Sequence, residues 1–301
     1  MNNVLIVILG PTGVGKSDVA FELALYFRTE IISADSRQFY REMAIGTAVP
    51  PDHQLEQVKH HFIGFLDVDE YYSASLFERD VLKLLPSLFG KNRIVIMAGG
   101  SGMYIDAVCD GIDDIPDTDP VIREKYIVKY REEGIEGLRA ALKLLDPDHY
   151  ASVDLRNHKR IIRALEICES TGRPYSSFLT NRKAEREFRI VRIGLNRERA
   201  DLYRRIDKRV ERMIDEGLED EVRALTGSRN LNSLNSVGYK EFFDYFDGKI
   251  SYEKAIELIK RNSRRYAKRQ MTWWARDKEI KWFHAEKVQD IIGYAGGMVR
   301  S

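Results

Sequence analysis

The stretch Gly10-Pro11-Thr12-Gly13-Val14-Gly15-Lys16-Ser17 constrains this chain more than any other. It satisfies the phosphate-loop pattern G-x-x-x-x-G-K-[ST] at every fixed position. Before it, Val4 to Leu9 is an unbroken apolar run, as expected of a strand buried on both faces. After it, Val19, Ala20, Leu23, Ala24 and Phe27 recur with helical spacing. The motif therefore lies between a strand and a helix N-terminus, where free N–H groups and the helix dipole favour a polyphosphate. In such a loop Lys16 reaches the outer phosphates and the Ser17 hydroxyl ligates Mg²⁺.

A phosphate loop of this kind implies an α/β fold, with a parallel sheet flanked by helices. In such sheets ligands gather at the carboxyl ends of the strands. Two further stretches end there. Glu30 to Asp35 reads as a strand, followed by Ser36-Arg37-Gln38. Arg93 to Ala98 reads as another and runs into Gly99-Gly100-Ser101-Gly102. Asp35 and Ser101 thus fall beside the phosphate loop. A carboxylate at Asp35 could accept a proton, ligate metal or cap a helix. His60-His61 are adjacent, so their side chains point to opposite sides of a strand and read as structural.

The character changes after Val108. Residues 110–120 are acidic and carry Pro116 and Pro120, which reads as a crossing between lobes. From about 119 to 187 the periodicity is helical with no convincing strand. Strand character returns at Arg189 to Leu195, so the expected domains are a core of residues 1–112 and 188–301 and a helical insertion of residues 113–187. One long helix is expected from about Arg197 to Leu225, and a frayed tail after Gly293.

At 301 residues the chain is long enough for two lobes. Its net charge is only +1 although 32% of residues are charged, so any nucleic-acid site must be a local patch. Two such patches are visible. Arg156, His158, Lys159, Arg160 and Arg163 cluster at the start of a helix. Lys260 to Arg276 holds seven basic residues and no acid, and runs into Trp273-Trp274. Cys109 and Cys168 show no metal spacing and read as buried free thiols. No segment is apolar enough to span a bilayer, and no signal peptide is evident; a soluble, cytoplasmic protein is expected.

Together these residues resemble the bacterial tRNA dimethylallyltransferase family, also called tRNA isopentenyltransferase. The motifs that carry the resemblance run in family order along nearly the whole chain. They are the phosphate loop, Ser33-Ala34-Asp35-Ser36-Arg37-Gln38, His60-His61, Tyr72-Ser73-Ala74 and Gly99 to Tyr104. Lys159 to Leu165, Val237-Gly238-Tyr239-Lys240 and Lys268 to Trp273 complete the set. Arg37 departs from the uncharged residue common among relatives.

The resemblance implies transfer of a dimethylallyl group from dimethylallyl diphosphate to N6 of the adenosine 3′ to a tRNA anticodon. The donor's diphosphate then occupies the loop that holds nucleotide phosphates in related folds. Asp35, Ser101 and Arg209 are the expected catalytic residues, with Arg205 as an alternative to Arg209 one helical turn away. Asp35 orients N6 and takes its proton. Gly10 to Ser17 bind the diphosphate, with Mg²⁺ at Ser17 as cofactor. Asp35, Ser36, Arg37, Gln38, Ser101, Arg123, Lys159, Arg160, Ile161, Ile162, Arg163, Arg261, Arg265 and Arg269 are expected to hold the anticodon stem-loop. A monomer is expected. Two rival enzymes share parts of this pattern: an adenylate dimethylallyltransferase and a P-loop small-molecule kinase. A non-enzymatic RNA-binding NTP switch is the third alternative.

Overall fold

The computed structural model describes residues 3–300 apart from Asp114, Asp117, Asn181 and Arg182. Six strands form one parallel sheet in the order β3-β2-β4-β1-β5-β6. Their ranges are β1 Val4–Leu9, β2 Ile31–Ser33, β3 His60–His61, β4 Ile94–Gly99, β5 Arg189–Asn196 and β6 Lys281–His284. The central β1 is wholly buried and pairs with β4 from Val4↔Ile94 to Leu9↔Gly99. Its alternate residues enter two cores, because successive side chains of a strand point to opposite faces. Leu5, Val7 and Leu9 join Val95 and Met97 on one face, while Val4, Ile6 and Ile8 join Ile96 and Ile193 on the other.

Two compact units are present, residues 1–110 with 185–301, and residues 111–184. The first holds the sheet and α1 Lys16–Phe27, α2 Asp52–Gln57, α3 Ala74–Lys91 and α4 Gly102–Asp110. The second holds α5 Pro120–Leu145, α6 Pro147–Ser152 and α7 His158–Thr171, with no strand among its described residues. Gly134 breaks α5 with φ 68°. This unit has its own core of Tyr126, Leu138, Leu142, Ile161, Ile162 and Leu165. The chain then returns to the first unit with α8 Arg199–Asp215, α9 Leu218–Ala224, α10 Tyr239–Phe246, α11 Tyr252–Trp274 and α12 Val288–Arg300. Among the described residues, no helix is long and apolar enough to cross a membrane.

Several sequence expectations are corrected. The helix expected from Arg197 to Leu225 is two, because Gly217 takes the left-handed conformation (φ 97°) and caps α9. The tail is not frayed: α12 buries Ile291, Ile292 and Ala295 against the sheet core. The second strand ends at Ser33, so Asp35 lies in the turn beyond it. Asp114 and Asp117, part of the acidic crossing, lie outside the described residues. His60 and His61 form β3, where His61 Nε2 meets Glu30 at 2.6 Å and His60 Nδ1 meets the Val58 carbonyl at 2.8 Å. Both thiols are buried and free.

Candidate active site

The carboxyl ends of β1, β2 and β4 converge on a cavity of about 770 Å³. Its lining includes Thr12, Gly13, Gly15, Lys16 and Ser17 of the phosphate loop. Gly15 caps α1 with φ 106°, a conformation that L side chains rarely adopt, so the loop can turn its amides inward. Lys16 Nζ donates to the carbonyls of Gly10 (2.9 Å) and Pro11 (3.0 Å), bracing the loop across its own mouth. Burial holds its pKa down at about 8; Arg209 lowers it further and Asp35 opposes both. Gly10, Pro11 and Val14 shape the loop from behind, Pro11 and Val14 being buried in the body. Ser17 is exposed toward the cavity.

Helix α8 supplies the facing cations. Arg205, Lys208, Arg209 and Arg212 all line the cavity. Arg209 Nη2 donates to Thr12 Oγ1 at 2.7 Å, while its buried Nε has no partner. Burial lowers the Arg209 pKa, with Asp35 opposing. An unpaired buried guanidinium N–H beside a phosphate loop is a donor awaiting an anion. Arg205 donates from Nε to the Gly13 carbonyl at 3.0 Å. Of the two arginines, Arg209 is the one with an unpartnered buried N–H.

Asp35 lines the cavity, and its Oδ1 accepts the Arg37 amide at 3.2 Å. Ser101 is not free to reach far: its Oγ accepts the Ser36 amide and donates to Ser36 Oγ, both at 3.0 Å. Ser101 thereby locks the Asp35 turn to the β4 turn. Tyr266 of α11, absent from the sequence expectations, stands beside both. Burial and the Asp35 charge push its hydroxyl up to about 12, against Arg37, Arg269 and a hydrogen bond with Ser101. An aromatic set among arginines on one helix was the signal available for it.

The expected tRNA-binding residues divide. Arg37 makes no ion pair among the described residues, and Lys159, Arg160, Arg265 and Arg269 are exposed. Arg269 lies 5.6 Å from the Tyr266 ring centroid, and Arg261 Nε donates to Asn262 at 3.3 Å. Arg123 and Arg163 share the buried carboxylate of Glu166, at 2.9 and 3.3 Å. Three of the expected residues are buried. Ile161 and Ile162 are buried in the helical unit's core. Gln38 is buried and lines the cavity, accepting from Ser33 Oγ (3.0 Å) and donating to the Thr47 and Ala48 carbonyls. Three cations of the basic stripe are likewise neutralised, Lys260 by Glu211, Arg264 by Asp207 and Arg276 by Asp106.

Comparison with known proteins adds to this geometry. A family model described as IPP transferase matches residues 38–277. The chain is 52% identical over 296 residues to tRNA dimethylallyltransferase 1 of Bacteroides fragilis, covering 98% of each chain. It belongs to the tRNA dimethylallyltransferase family. Identity to tRNA dimethylallyltransferase 2 of Porphyromonas gingivalis is 55% over 285 residues, or 95% of each chain. Among solved structures, the tRNA isopentenylpyrophosphate transferase of Bacillus halodurans has TM-score 0.71 at 36% identity, covering 98% of this chain and 96% of that one. A eukaryotic dimethylallyltransferase acting on tRNA has TM-score 0.79 at 26% identity, covering 94% and 74%.

Within this dimethylallyltransferase fold, the Val237-Gly238-Tyr239-Lys240 motif has a structural office. Glu221 accepts the amides of Ile45 (2.7 Å) and Gly46 (2.9 Å) and the Tyr239 hydroxyl (2.7 Å). That clasp fixes the Ile45–Ala48 wall of the cavity. Lys16 also gives the site a pH signature. An anion needs the protonated amine, and the free protein loses that proton near pH 8. Affinity for an anionic probe such as inorganic pyrophosphate should therefore be level below that pH and fall about tenfold per unit above it, as calorimetry across pH 7–10 would read.

Proposed function

We propose that this tRNA dimethylallyltransferase takes its dimethylallyl group from dimethylallyl diphosphate and delivers it to N6 of the adenosine 3′ to the anticodon. The observation that carries this reading is the lining of the cavity, which holds both cations and apolar side chains. Lys16 and Arg209 are among the first, and Ile45, Ala48, Val49 and Met213 among the second. A diphosphate with a short branched hydrocarbon tail has partners of both kinds there.

In the reaction, N6 attacks the allylic carbon as its bond to the diphosphate oxygen breaks. The leaving group departs with the electron pair, and Lys16, Arg209 and the loop amides take up its charge. Asp35 holds N6–H and receives the proton. Ser101 keeps the Asp35 turn in place through Ser36. Among the described residues no cluster of three His, Cys, Asp or Glu could hold a metal by itself. The exposed Ser17 hydroxyl suits Mg²⁺ all the same, because that ion is commonly held by few protein ligands together with substrate phosphates. When bound there it would neutralise diphosphate charge.

In this reading Arg261, Arg265 and Arg269 of α11 contact RNA phosphates, and such contacts release counterions. Replacing Arg261, Arg265 and Arg269 together with Ala should weaken tRNA binding and flatten its dependence on log[salt]. Donor affinity should barely change. A filter-binding series at rising salt tests this; an unchanged slope would remove α11 from the RNA interface. The chain is read as a cytoplasmic monomer.

A further inference from the structure

Gln270 is buried in α11, and its side chain leaves the helix to join two loops distant in sequence. Its Oε1 accepts the Thr12 amide at 2.8 Å, and its Nε2 donates to the Gly100 carbonyl at 2.8 Å. Thr12 belongs to the phosphate loop and Gly100 to the turn that presents Ser101. The polarity fixes the residue type. One partner is a donor and the other an acceptor, and an amide of this reach satisfies both at once. Gly100 is cut to fit it: a Cβ there would lie 2.5 Å from Gln270 Nε2, 3.7 Å from Lys16 Nζ and 3.8 Å from Asp35 Oδ2. The bridge thus lies where the cation of the donor end and the carboxylate of the acceptor end approach each other. Thr12 is held at its other end by Arg209.

We propose that Gln270 is a positioning residue, whose amide sets the separation between the leaving diphosphate and the amine that displaces it. The inference rests on the donor and acceptor assignments above. Without the bridge, Thr12 and Arg209 lose a fixed reference to the Ser101 turn, and an ångström of drift between reacting groups costs on the order of 10²-fold in rate.

The test uses the full chain with Gln270→Met and Gln270→Glu, and inorganic pyrophosphate with Mg²⁺ as the probe of the loop. Gln270→Met removes both hydrogen bonds at similar volume. It should weaken pyrophosphate roughly tenfold, the worth of one or two neutral hydrogen bonds. Donor-saturated single-turnover transfer should slow by roughly 10–100-fold, with tRNA affinity unchanged. Gln270→Glu keeps the acceptor, loses the donor and adds an anion beside the phosphates, so its pyrophosphate affinity should be lower still. A purely structural role would lower the unfolding temperature and the active fraction, but not the affinity or saturated rate of the folded molecules. If Gln270→Met does not fold, Gly100→Ala displaces the same amide and should reproduce the weakened pyrophosphate binding and slowed transfer. Normal affinity and normal saturated rate in a folded variant would overturn the proposal. Failure of the unaltered protein to bind pyrophosphate would instead overturn the diphosphate reading of the loop, a distinct result.

Discussion

Asp35→Asn should slow single-turnover transfer by roughly 10²–10⁴-fold, the usual worth of a positioned acid or base. An amide can still orient N6–H, but it cannot take the proton. The substitution is nearly isosteric, and the turn survives it, because the Arg37 amide that bonds Asp35 Oδ1 can bond an amide oxygen equally well. Affinity for tRNA should change little, since one neutral hydrogen bond contributes about 0.5–1.5 kcal/mol. The carboxylate also opposes the lowering of the Lys16 and Arg209 pKa values. Its removal should therefore move the alkaline limb of donor binding to lower pH. Raising Mg²⁺ separates the two possible offices of the residue. Partial rescue would mark a metal ligand, no rescue a base, and a near-normal rate would eliminate both.

The second large effect is expected at Arg209. Replacement by Ala should reduce the saturated rate by about 10²–10³-fold, the measured scale for removing one preorganised donor to developing negative charge. The loss should fall mainly on kcat rather than on donor KM, because charge accumulates on the diphosphate as its bond to carbon breaks. Two observations single out Arg209 from its neighbours: the contact with Thr12 and the buried Nε without a partner. Arg205→Ala should cost much less, since its Nε is already engaged by the Gly13 carbonyl. Rapid-quench measurements on the two variants compare them directly; equal losses would contradict the assignment.

Much of this site could be read from local sequence, and the reason is topological. In a parallel sheet, the ends of buried strands are forced to one edge, so a run such as Val4–Leu9 announces where its following loop must lie. Gly10 to Ser17, Asp35 and Ser101 were legible on that ground. Residues acting through tertiary contact were not. Gln270 meets Thr12 across 258 positions, and no spacing rule links them. Glu221 and Tyr239 likewise meet only once α9 and α10 have packed. Motif membership alone does not say which face of an element a residue takes. The helix carrying Lys159 and Arg160 exposes those cations, while Ile161 and Ile162 face the helical unit's core. Their apolar spacing had already assigned that face to burial. Gln38 lines the cavity while its amide is engaged by the Thr47 and Ala48 carbonyls, a contact that no local spacing rule announces.

The account's central claim is that a diphosphate donor in the phosphate loop alkylates a tRNA adenosine. The most direct measurement gives the protein unmodified tRNA, AMP, dimethylallyl diphosphate, ATP and Mg²⁺ together, then maps the products by nucleoside and fragment mass analysis. The account predicts one dimethylallyl group on the adenosine 3′ to the anticodon, with release of diphosphate and no gain on AMP. Dimethylallyl transfer to AMP alone, or transfer of the ATP γ-phosphate with tRNA unmodified, would contradict it.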